Sequence, residues 1–182
     1  MHHSAITLLK NPNKRGRPDI THLCLLNALG SPLNKSGHLK LFLHTNNNKI
    51  FEFNPEIRIA RNYNRFKGLM AKLLIDDFIG TKDSKLIIPY DGNLQELINS
   101  FEDHEITLFS CKGKLIDNYR NLFPKAPSRN CVTIIGGFQK SGFSEKISRL
   151  SDNLISISSY SLDAWIVVSK VISFYESVNE II

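Results

Sequence analysis

The chain has 182 residues, of which 42% are hydrophobic and 22% are charged, and a net charge of +6, a balance typical of one globular domain. The apolar run Ala164 to Val168 is far shorter than the roughly 20 residues that span a bilayer, and the N-terminus lacks the pattern of a secretory signal, so no membrane association is expected. Three widely spaced cysteines disfavour a disulfide framework or a cysteine-rich zinc site, and the histidines show no ligand spacing, so we expect a cytoplasmic protein without a metal ion.

The first half of the chain is predicted to contain two helices and a β-hairpin. Asp19 is suited to cap a helix over residues 20–29. Alternating apolar residues predict a strand over 39–45, and a turn with two asparagines leads to its hairpin partner over 50–53. Apolar residues at helical spacing predict a second helix over 63–74.

The second half alternates between helices and short strands. Helices are predicted over residues 94–101 and 162–175, and strands over 106–109, 132–135 and 154–157. This order predicts an α/β fold with at least a partly parallel sheet. Ligands of such sheets bind at the carboxyl ends of the strands, and here all three ends are followed by small residues. The sequence therefore predicts a cofactor pocket at that edge.

The basic residues are concentrated in the first 75 positions, where 12 Lys and Arg stand against 3 Asp and Glu, a net charge of +9. The remaining positions hold 11 Lys and Arg and 14 Asp and Glu, a net charge of −3. Arg58, Arg61 and Arg65 follow a helical spacing, and a helix that begins near Arg58 would present them on one face. Guanidinium groups bind phosphate in two-point contacts, and only Glu56 is near enough in sequence to neutralise them. This pattern favours binding of RNA or another polyanion over a solvated helix face with local ion pairs.

Arg17 and Asp19 form a second feature of the basic half. Asp19 can fix the guanidinium of Arg17, cap the following helix, or do both, because its carboxylate has two oxygens. His22 is expected to be a packed or surface histidine rather than a catalytic base, because the sequence offers it no acidic partner. Gly136 and Gly137 suit a close approach of the backbone to a ligand, but they match neither the dinucleotide-binding motif nor the P-loop.

Several stretches together resemble one protein family. They are RPDITH at 17–22, SPLNK at 31–35, LHT at 43–45, NPEIRIARNYNRFKGLM at 54–70, IIGGF at 134–138 and ISSYSL at 157–162. The sequence is similar to the ribosome-biogenesis pseudouridine methyltransferases of the SPOUT superfamily, the nucleolar essential protein family, in its compact archaeal type. The arginine block is specific to this family, whereas the glycine loop is common to the superfamily.

The resemblance implies an α/β, SPOUT-like fold with a mostly parallel sheet, a C-terminal trefoil knot and a β-hairpin insertion of the family type. Residues 1–182 would form one methyltransferase domain, with a basic RNA-binding half at about 10–75 and a cofactor-binding knot at about 105–180. It also implies a homodimer that uses S-adenosylmethionine to methylate N1 of a pseudouridine in a small-subunit rRNA hairpin, with ribosomal assembly proteins as further partners. The expected location is the cytoplasm, or the nucleolus in a eukaryote.

The resemblance also assigns residues to two sites. Arg17, Arg58, Arg61 and Arg65 would contact the rRNA, with Asp19 holding Arg17. No general base is evident; Asp19 is a candidate, although holding Arg17 is the role we favour for it. The cofactor loops would comprise Phe109, Ser110, Gly136, Ser141, Gly142, Ile157, Ser158, Ser159, Tyr160, Ser161 and Leu162.

Two departures from the family pattern matter. Only 16 residues precede Arg17, fewer than family members usually carry, so we expect either a truncated start or a smaller sheet without the family's first strand. The family loop G-G-F-P-H-G is replaced by GGFQKSG at 136–142, which leaves Ser141 and Gly142 as alternatives beside the cofactor. The loop change also keeps open a second interpretation, a non-catalytic rRNA-binding assembly factor that uses the same arginines.

Overall fold

The computed structural model describes residues 17–81, 83–124, 129–138 and 142–182. Its helices are α1 Pro18–Gly30, α2 Pro32–Lys35, α3 Tyr63–Asp76, α4 Leu94–Asn99, α5 Glu145–Ser148 and α6 Ala164–Val178, and a 3-10 turn spans Tyr119–Asn121. Its strands are β1 Leu41–His44, β2 Ile50–Phe53, β3 Ile79–Gly80, β4 Lys85–Pro89, β5 His104–Leu115, β6 Asn130–Ile135 and β7 Leu154–Ser156. Every helix and strand predicted from the sequence is present, with its ends shifted by a few residues in most cases; α2, α5, β3 and β4 were not predicted.

Local polar signals set the ends of two of these helices. The side chain of Asn62 accepts a hydrogen bond from the backbone N–H of Arg65 at 3.1 Å and so begins α3, and Asp77, in the left-handed conformation with φ 60°, ends it. Asn93 and Glu96 form a reciprocal capping box at the start of α4. These caps satisfy backbone donors that a helix end leaves without an intrahelical partner.

The predicted hairpin belongs to a larger antiparallel sheet. β1 and β2 pair with Leu43 opposite Phe51, as expected, and the turn between them contains Asn48 with φ 59°. β2 also pairs antiparallel with β4, which in turn pairs with β3, so the order is β1-β2-β4-β3. The hairpin is therefore confirmed, and the other two strands complete its sheet.

The remaining three strands form the predicted parallel sheet in the order β6-β5-β7. β5 was predicted to end at Phe109, but the strand continues to Leu115. Phe109 and Lys114 both pair with Ile155 of β7, so the intervening residues make an excursion out of the regular ladder. We refer to residues 110–113 as the β5 excursion. The small residues of this stretch thus lie within an interrupted strand rather than after its end.

Two hydrophobic clusters support the two sheets. The first contains Phe51, Phe66 and Leu73, all with 0% exposure, and lies among α1, α3 and the antiparallel sheet. The second contains Phe109 and Val171 and lies between α6 and the parallel sheet. α1 also packs against α6, which connects the basic half of the chain to the C-terminal half.

In the described part of the chain, no helix is both long enough and apolar enough to cross a membrane. The trefoil knot and the division into an RNA-binding half and a cofactor-binding half remain predictions.

Candidate functional site

Arg17 and Asp19 form a two-point ion pair at the start of α1. Nε of Arg17 donates to Oδ1 of Asp19 at 3.0 Å, and a terminal guanidinium nitrogen donates to Oδ2. The hydrogen bond from Arg17 is the main cause that lowers the pKa of Asp19. The proposed holding of Arg17 is therefore confirmed as a contact. The prediction that Asp19 caps the helix is wrong, because Pro18 opens α1, Arg17 occupies the capping position, and the Asp19 carboxylate lies within the first turn.

Arg58 and Arg61 do not lie on a helix. They belong to an irregular segment before α3, and of the three predicted arginines only Arg65 is inside that helix. Within the segment, Ile57 and Ile59 are 7% and 8% exposed, whereas Arg58 is exposed. The alternation of buried and exposed side chains has a period of two, which is typical of extended backbone. The prediction of one helical stripe is therefore wrong, although all three arginines are exposed to solvent.

No described acidic residue forms an ion pair with Arg58, Arg61 or Arg65. Ion pairs elsewhere in the described ranges join, for example, Arg129 to Asp103 and Arg149 to Glu145. Guanidinium groups that are exposed and unneutralised attract phosphate electrostatically and bind it in two-point contacts. The guanidinium groups of these three arginines are therefore available to bind the phosphates of a polyanion.

His22 is a packed histidine, as expected. Its side chain lies 4.3 Å from the ring of Phe66 in a stacked arrangement, and its Nε2 lies 2.7 Å from the carbonyl oxygen of Ala60. Because a carbonyl can only accept, Nε2 carries the proton and donates it. The residue is 4% exposed. Because its Nε2 is occupied by this buried hydrogen bond, His22 has a structural role and is not placed as a general base.

The three predicted cofactor loops meet at one edge of the parallel sheet. β5 is central and runs parallel to both neighbours, so the carboxyl ends of the three strands point the same way. This places Phe109 and Ser110 between Gly136, which follows β6, and the segment 157–162, which follows β7. Ser141 lies outside the described residues, so the alternatives Ser141 and Gly142 stay open. The arrangement gives one edge to which all three loops contribute.

The loop after β7 is organised by serine side chains. Oγ of Ser156 donates to the carbonyl oxygen of Ser158 at 2.8 Å, and Oγ of Ser158 accepts from the backbone N–H of Tyr160 at 3.0 Å. Tyr160 itself is 78% exposed. These short local bonds shape the turn without using a large side chain, which leaves the backbone of Ile157, Ser158, Ser159, Ser161 and Leu162 near the surface.

Glycines at the same edge leave room for a bound molecule. No heavy atom lies within 4 Å of a β-carbon built at Gly137 or Gly142, whereas a β-carbon at Gly136 would lie 2.5 Å from the ring of Phe138. A cavity of about 1520 Å³ is lined by all three glycines and by Arg17, whereas Phe109, Ser110 and residues 157–162 do not line it. The loop after β6 therefore offers backbone in a cavity that also reaches Arg17.

Arg17 connects the two candidate regions electrostatically. Its guanidinium pKa is raised, first by the hydrogen bond to Asp19 and to a smaller extent by the carboxylate of Asp163. Asp163 immediately follows Leu162, the last residue of the predicted cofactor segment, and is the capping position of α6. Arg17 and the start of α6, which directly follows the predicted cofactor segment, are thus neighbours.

A family model described as EMG1/NEP1 methyltransferase matches residues 1–176. The chain belongs to the EMG1/NEP1 methyltransferase family. The family named from the sequence resemblance is thereby confirmed, and the chain is a methyltransferase.

Curated relatives agree with this assignment. The chain is 38% identical over 183 residues to the ribosomal RNA small subunit methyltransferase Nep1 of Staphylothermus marinus, with 100% of this chain and 79% of the relative covered. The corresponding protein of Thermococcus sibiricus is 39% identical, with 96% and 78% covered. The Drosophila melanogaster protein is 36% identical, with 89% and 66% covered.

A solved structure supports the fold. The crystal structure of Archaeoglobus fulgidus Nep1 bound to S-adenosylhomocysteine matches with a TM-score of 0.82 and 36% identity, and the match covers 97% of this chain and 78% of that chain. The α/β fold expected for a Nep1-type methyltransferase is therefore confirmed.

Proposed function

We propose that this chain transfers a methyl group from S-adenosylmethionine to N1 of a pseudouridine in a hairpin of small-subunit rRNA, in the biogenesis of the small ribosomal subunit in the cytoplasm. The observation that carries the proposal is the meeting of the loops after β6 and β7 with Phe109 and Ser110 at one edge of the parallel sheet, next to Asp163, whose carboxylate interacts with Arg17. The names of the relatives support an rRNA of the small subunit as substrate, and the bound S-adenosylhomocysteine of the Archaeoglobus protein supports the cofactor.

The carboxyl edge fits a cofactor that is held mostly by backbone. The open space at Gly137 and Gly142 lets a ligand approach the main chain, and the serine-ordered turn after β7 presents further backbone groups. We assign cofactor contacts to Phe109, Ser110, Gly136, Ser141 or Gly142, and Ile157 to Leu162. When bound, S-adenosylmethionine supplies an electrophilic methyl group on a sulfonium sulfur.

The arginines bind the RNA. Arg58, Arg61 and Arg65 are exposed and contact phosphates, while Arg17 is held by Asp19 and interacts electrostatically with Asp163, which follows the cofactor segment. Because Asp19 fixes two nitrogens of the guanidinium, Arg17 enters the complex with less conformational freedom to lose. These four residues orient the target nucleotide toward the methyl donor.

The reaction is a direct displacement. Pseudouridine N1 loses its proton to solvent and attacks the methyl carbon, so the N–C bond forms as the C–S bond breaks and S-adenosylhomocysteine leaves. Holding the two atoms about 3–3.5 Å apart and in line supplies a large part of the rate acceleration. Arg17 stabilises the negative charge that develops on the pyrimidine ring. Asp19 is a poor proton acceptor, because its pKa is lowered by the same arginine, so its role is to hold Arg17.

The proposal includes a homodimer, with ribosomal assembly proteins as further partners. Leu115, Tyr160 and Ile166 are 48%, 78% and 38% exposed. They lie at the end of β5, in the loop after β7 and at the start of α6, close to the carboxyl edge. Exposed apolar side chains on neighbouring elements favour an interface with a second copy. Light scattering gives the mass of the purified wild-type protein and of the Leu115→Lys variant, and so tests the proposed homodimer.

Methyl transfer to defined RNA hairpins tests the central proposal. Labelled S-adenosylmethionine is supplied with two hairpins that differ only in one loop nucleotide, pseudouridine or uridine. We expect label in the pseudouridine hairpin alone, with the added mass at N1. Equal labelling of both hairpins would contradict the assigned substrate. RNA binding without any transfer would instead support the non-catalytic assembly factor.

A further inference from the structure

Two buried polar side chains hold the segment that carries Arg58 and Arg61. The segment comprises residues 55–61 and belongs to no regular helix or strand. At its start, the side-chain amide of Asn34 donates to the carbonyl oxygen of Pro55 at 2.8 Å. Near its end, Nε2 of His22 donates to the carbonyl oxygen of Ala60 at 2.7 Å. His22 and Asn34 are each 4% exposed.

These two hydrogen bonds determine how the segment lies on the protein. A buried donor or acceptor without a partner is costly, so both bonds resist breaking. Between the two fixed carbonyls, Ile57 and Ile59 are buried in the first hydrophobic cluster. The backbone is thereby held at both ends and in its middle, and the exposed side chain of Arg58 points away from the cluster.

The two donors come from the part of the protein that carries Arg17. His22 lies in α1 one turn after the Arg17–Asp19 pair, and Asn34 lies in α2, where its amide also donates to the carbonyl oxygen of Leu29 at 3.0 Å. The His22 ring additionally stacks on Phe66, the residue after Arg65. One histidine thus contacts the elements that carry all four predicted RNA contacts.

We propose that His22 and Asn34 are positioning residues for RNA binding, which fix Arg58 and Arg61 relative to Arg17 before the RNA arrives. This inference rests on the proposed function, since it takes the arginines to be the RNA-binding face. A segment that is already ordered loses little conformational entropy when its arginines engage phosphates. Without the two hydrogen bonds, the RNA would have to order the segment at the expense of affinity.

Paired substitutions at position 22 separate the hydrogen bond from the stacking. His22→Phe keeps a ring against Phe66 but removes the donor to Ala60, whereas His22→Gln keeps an amide donor of similar reach but removes the ring. We expect His22→Phe to bind a fluorescent hairpin with one loop pseudouridine roughly 5- to 10-fold more weakly than wild type. His22→Gln should recover part of this loss. Asn34→Leu, which removes the other donor, should act in the same direction as His22→Phe.

Kinetics and cofactor binding distinguish positioning from a general loss of structure. His22→Phe should raise KM for the RNA hairpin and leave kcat and the calorimetric affinity for S-adenosylhomocysteine unchanged. Thr107→Val is the matched control, because Thr107 is 5% exposed and accepts a hydrogen bond from Asn153 at 2.9 Å in the other sheet. It should lower the free energy of unfolding without changing RNA affinity.

Arg61→Ala, alone and combined with His22→Phe, completes the test. If His22 acts through the arginine segment, the combined loss of RNA affinity is smaller than the two single losses added together. Wild-type RNA affinity in both His22→Phe and Asn34→Leu, beside a weakened Arg61→Ala, would overturn the positioning role and leave the RNA face intact. Unchanged affinity in Arg61→Ala as well would overturn both this inference and the proposed RNA face.

Discussion

Gly113 meets the backbone of Ile155 where no larger residue fits. A β-carbon at position 113 would lie 2.6 Å from the backbone nitrogen and carbonyl carbon of Ile155. These are main-chain atoms of β7, which cannot rotate away as the tip of a side chain can. The contact closes the β5 excursion against β7, two residues before the predicted cofactor segment begins at Ile157.

Gly113→Ala is therefore expected to destabilise the protein and to weaken cofactor binding. The added methyl group forces β7 away from β5, which we expect to cost about 1–3 kcal/mol in the free energy of unfolding. Urea denaturation measures the stability, and calorimetry with S-adenosylhomocysteine measures the binding. Gly68→Ala is the matched control, since nothing lies within 4 Å of that β-carbon in α3. It should gain about 0.5–1 kcal/mol from lower backbone entropy in the unfolded chain. A Gly113→Ala protein with wild-type stability and binding would contradict the packing argument.

Arg61→Ala and Arg65→Ala are each expected to weaken binding of the pseudouridine hairpin and to flatten its salt dependence. Removing one phosphate contact lowers the slope of log K against log salt by about 0.7–0.9, depending on whether that part of the RNA is single-stranded or paired. Fluorescence anisotropy over a salt series gives both quantities. Arg129→Ala is the control, because Arg129 pairs with Asp103 at 3.2 Å. If the slopes of all three variants equal that of wild type, the arginines do not contact the RNA backbone.

The Arg17–Asp19 pair predicts a pH-dependent contribution to stability. The folded-state pKa of Asp19 is lowered, so the pair stabilises the protein above the ordinary carboxyl pKa of 3.8 and loses this contribution as the pH falls through the lower folded value. Asp19→Asn should therefore be less stable than wild type at pH 7, by about 1 kcal/mol or less because the Asp19 side chain is 34% exposed. The difference should shrink once the pH drops below 3.8. Urea unfolding of both proteins between pH 7 and pH 3 measures it. A difference that stayed constant over this range would show that the carboxylate charge is not involved.

The three cysteines are expected to differ in their reaction with iodoacetamide. Cys111 is exposed in the β5 excursion, whereas burial raises the pKa of Cys24 to about 11 and also raises that of Cys131. At pH 8 only about 0.1% of Cys24 is then the reactive thiolate. Mass spectrometry should find modification of Cys111 first. Saturating S-adenosylhomocysteine should slow it, because the cofactor contact assigned to Ser110 adjoins Cys111. Equal rates with and without the ligand would place the cofactor away from the excursion.

Much of the architecture follows from local patterns that the sequence displays. The hairpin was predictable because alternating apolar residues flank a turn with two asparagines, and α3 because its apolar residues follow a helical spacing. β3 is only two residues long and β4 ends in Pro89, so neither carries a long enough periodic signal. The strand β5 was predicted to end too early, at Phe109, because an excursion that returns to the same partner strand has no signature in the sequence.

The site was predicted less completely than the fold. The spacing of Arg58, Arg61 and Arg65 fits a helix, yet Ile57 and Ile59 are both buried and impose extended backbone. Their alternation was a readable signal that the arginine spacing obscured. The roles of His22 and Asn34 left no such signal, because both donate to carbonyls that are 38 and 21 residues away in the chain. Contacts of that kind become visible only when the fold is known.

The packing of α1 against α6 also bears on how the protein is made. Leu33, just after α1, donates its backbone N–H at 2.8 Å to the carboxylate of Glu176, which lies 143 residues later in the chain. Synthesis proceeds from the N-terminus at about 5–20 residues per second, so about 7–30 seconds pass between the synthesis of Leu33 and that of Glu176. α1, which begins directly after Arg17, therefore completes its packing only after α6 has been synthesised. A nascent chain cannot present its fully folded RNA-binding surface until its C-terminal half has been made.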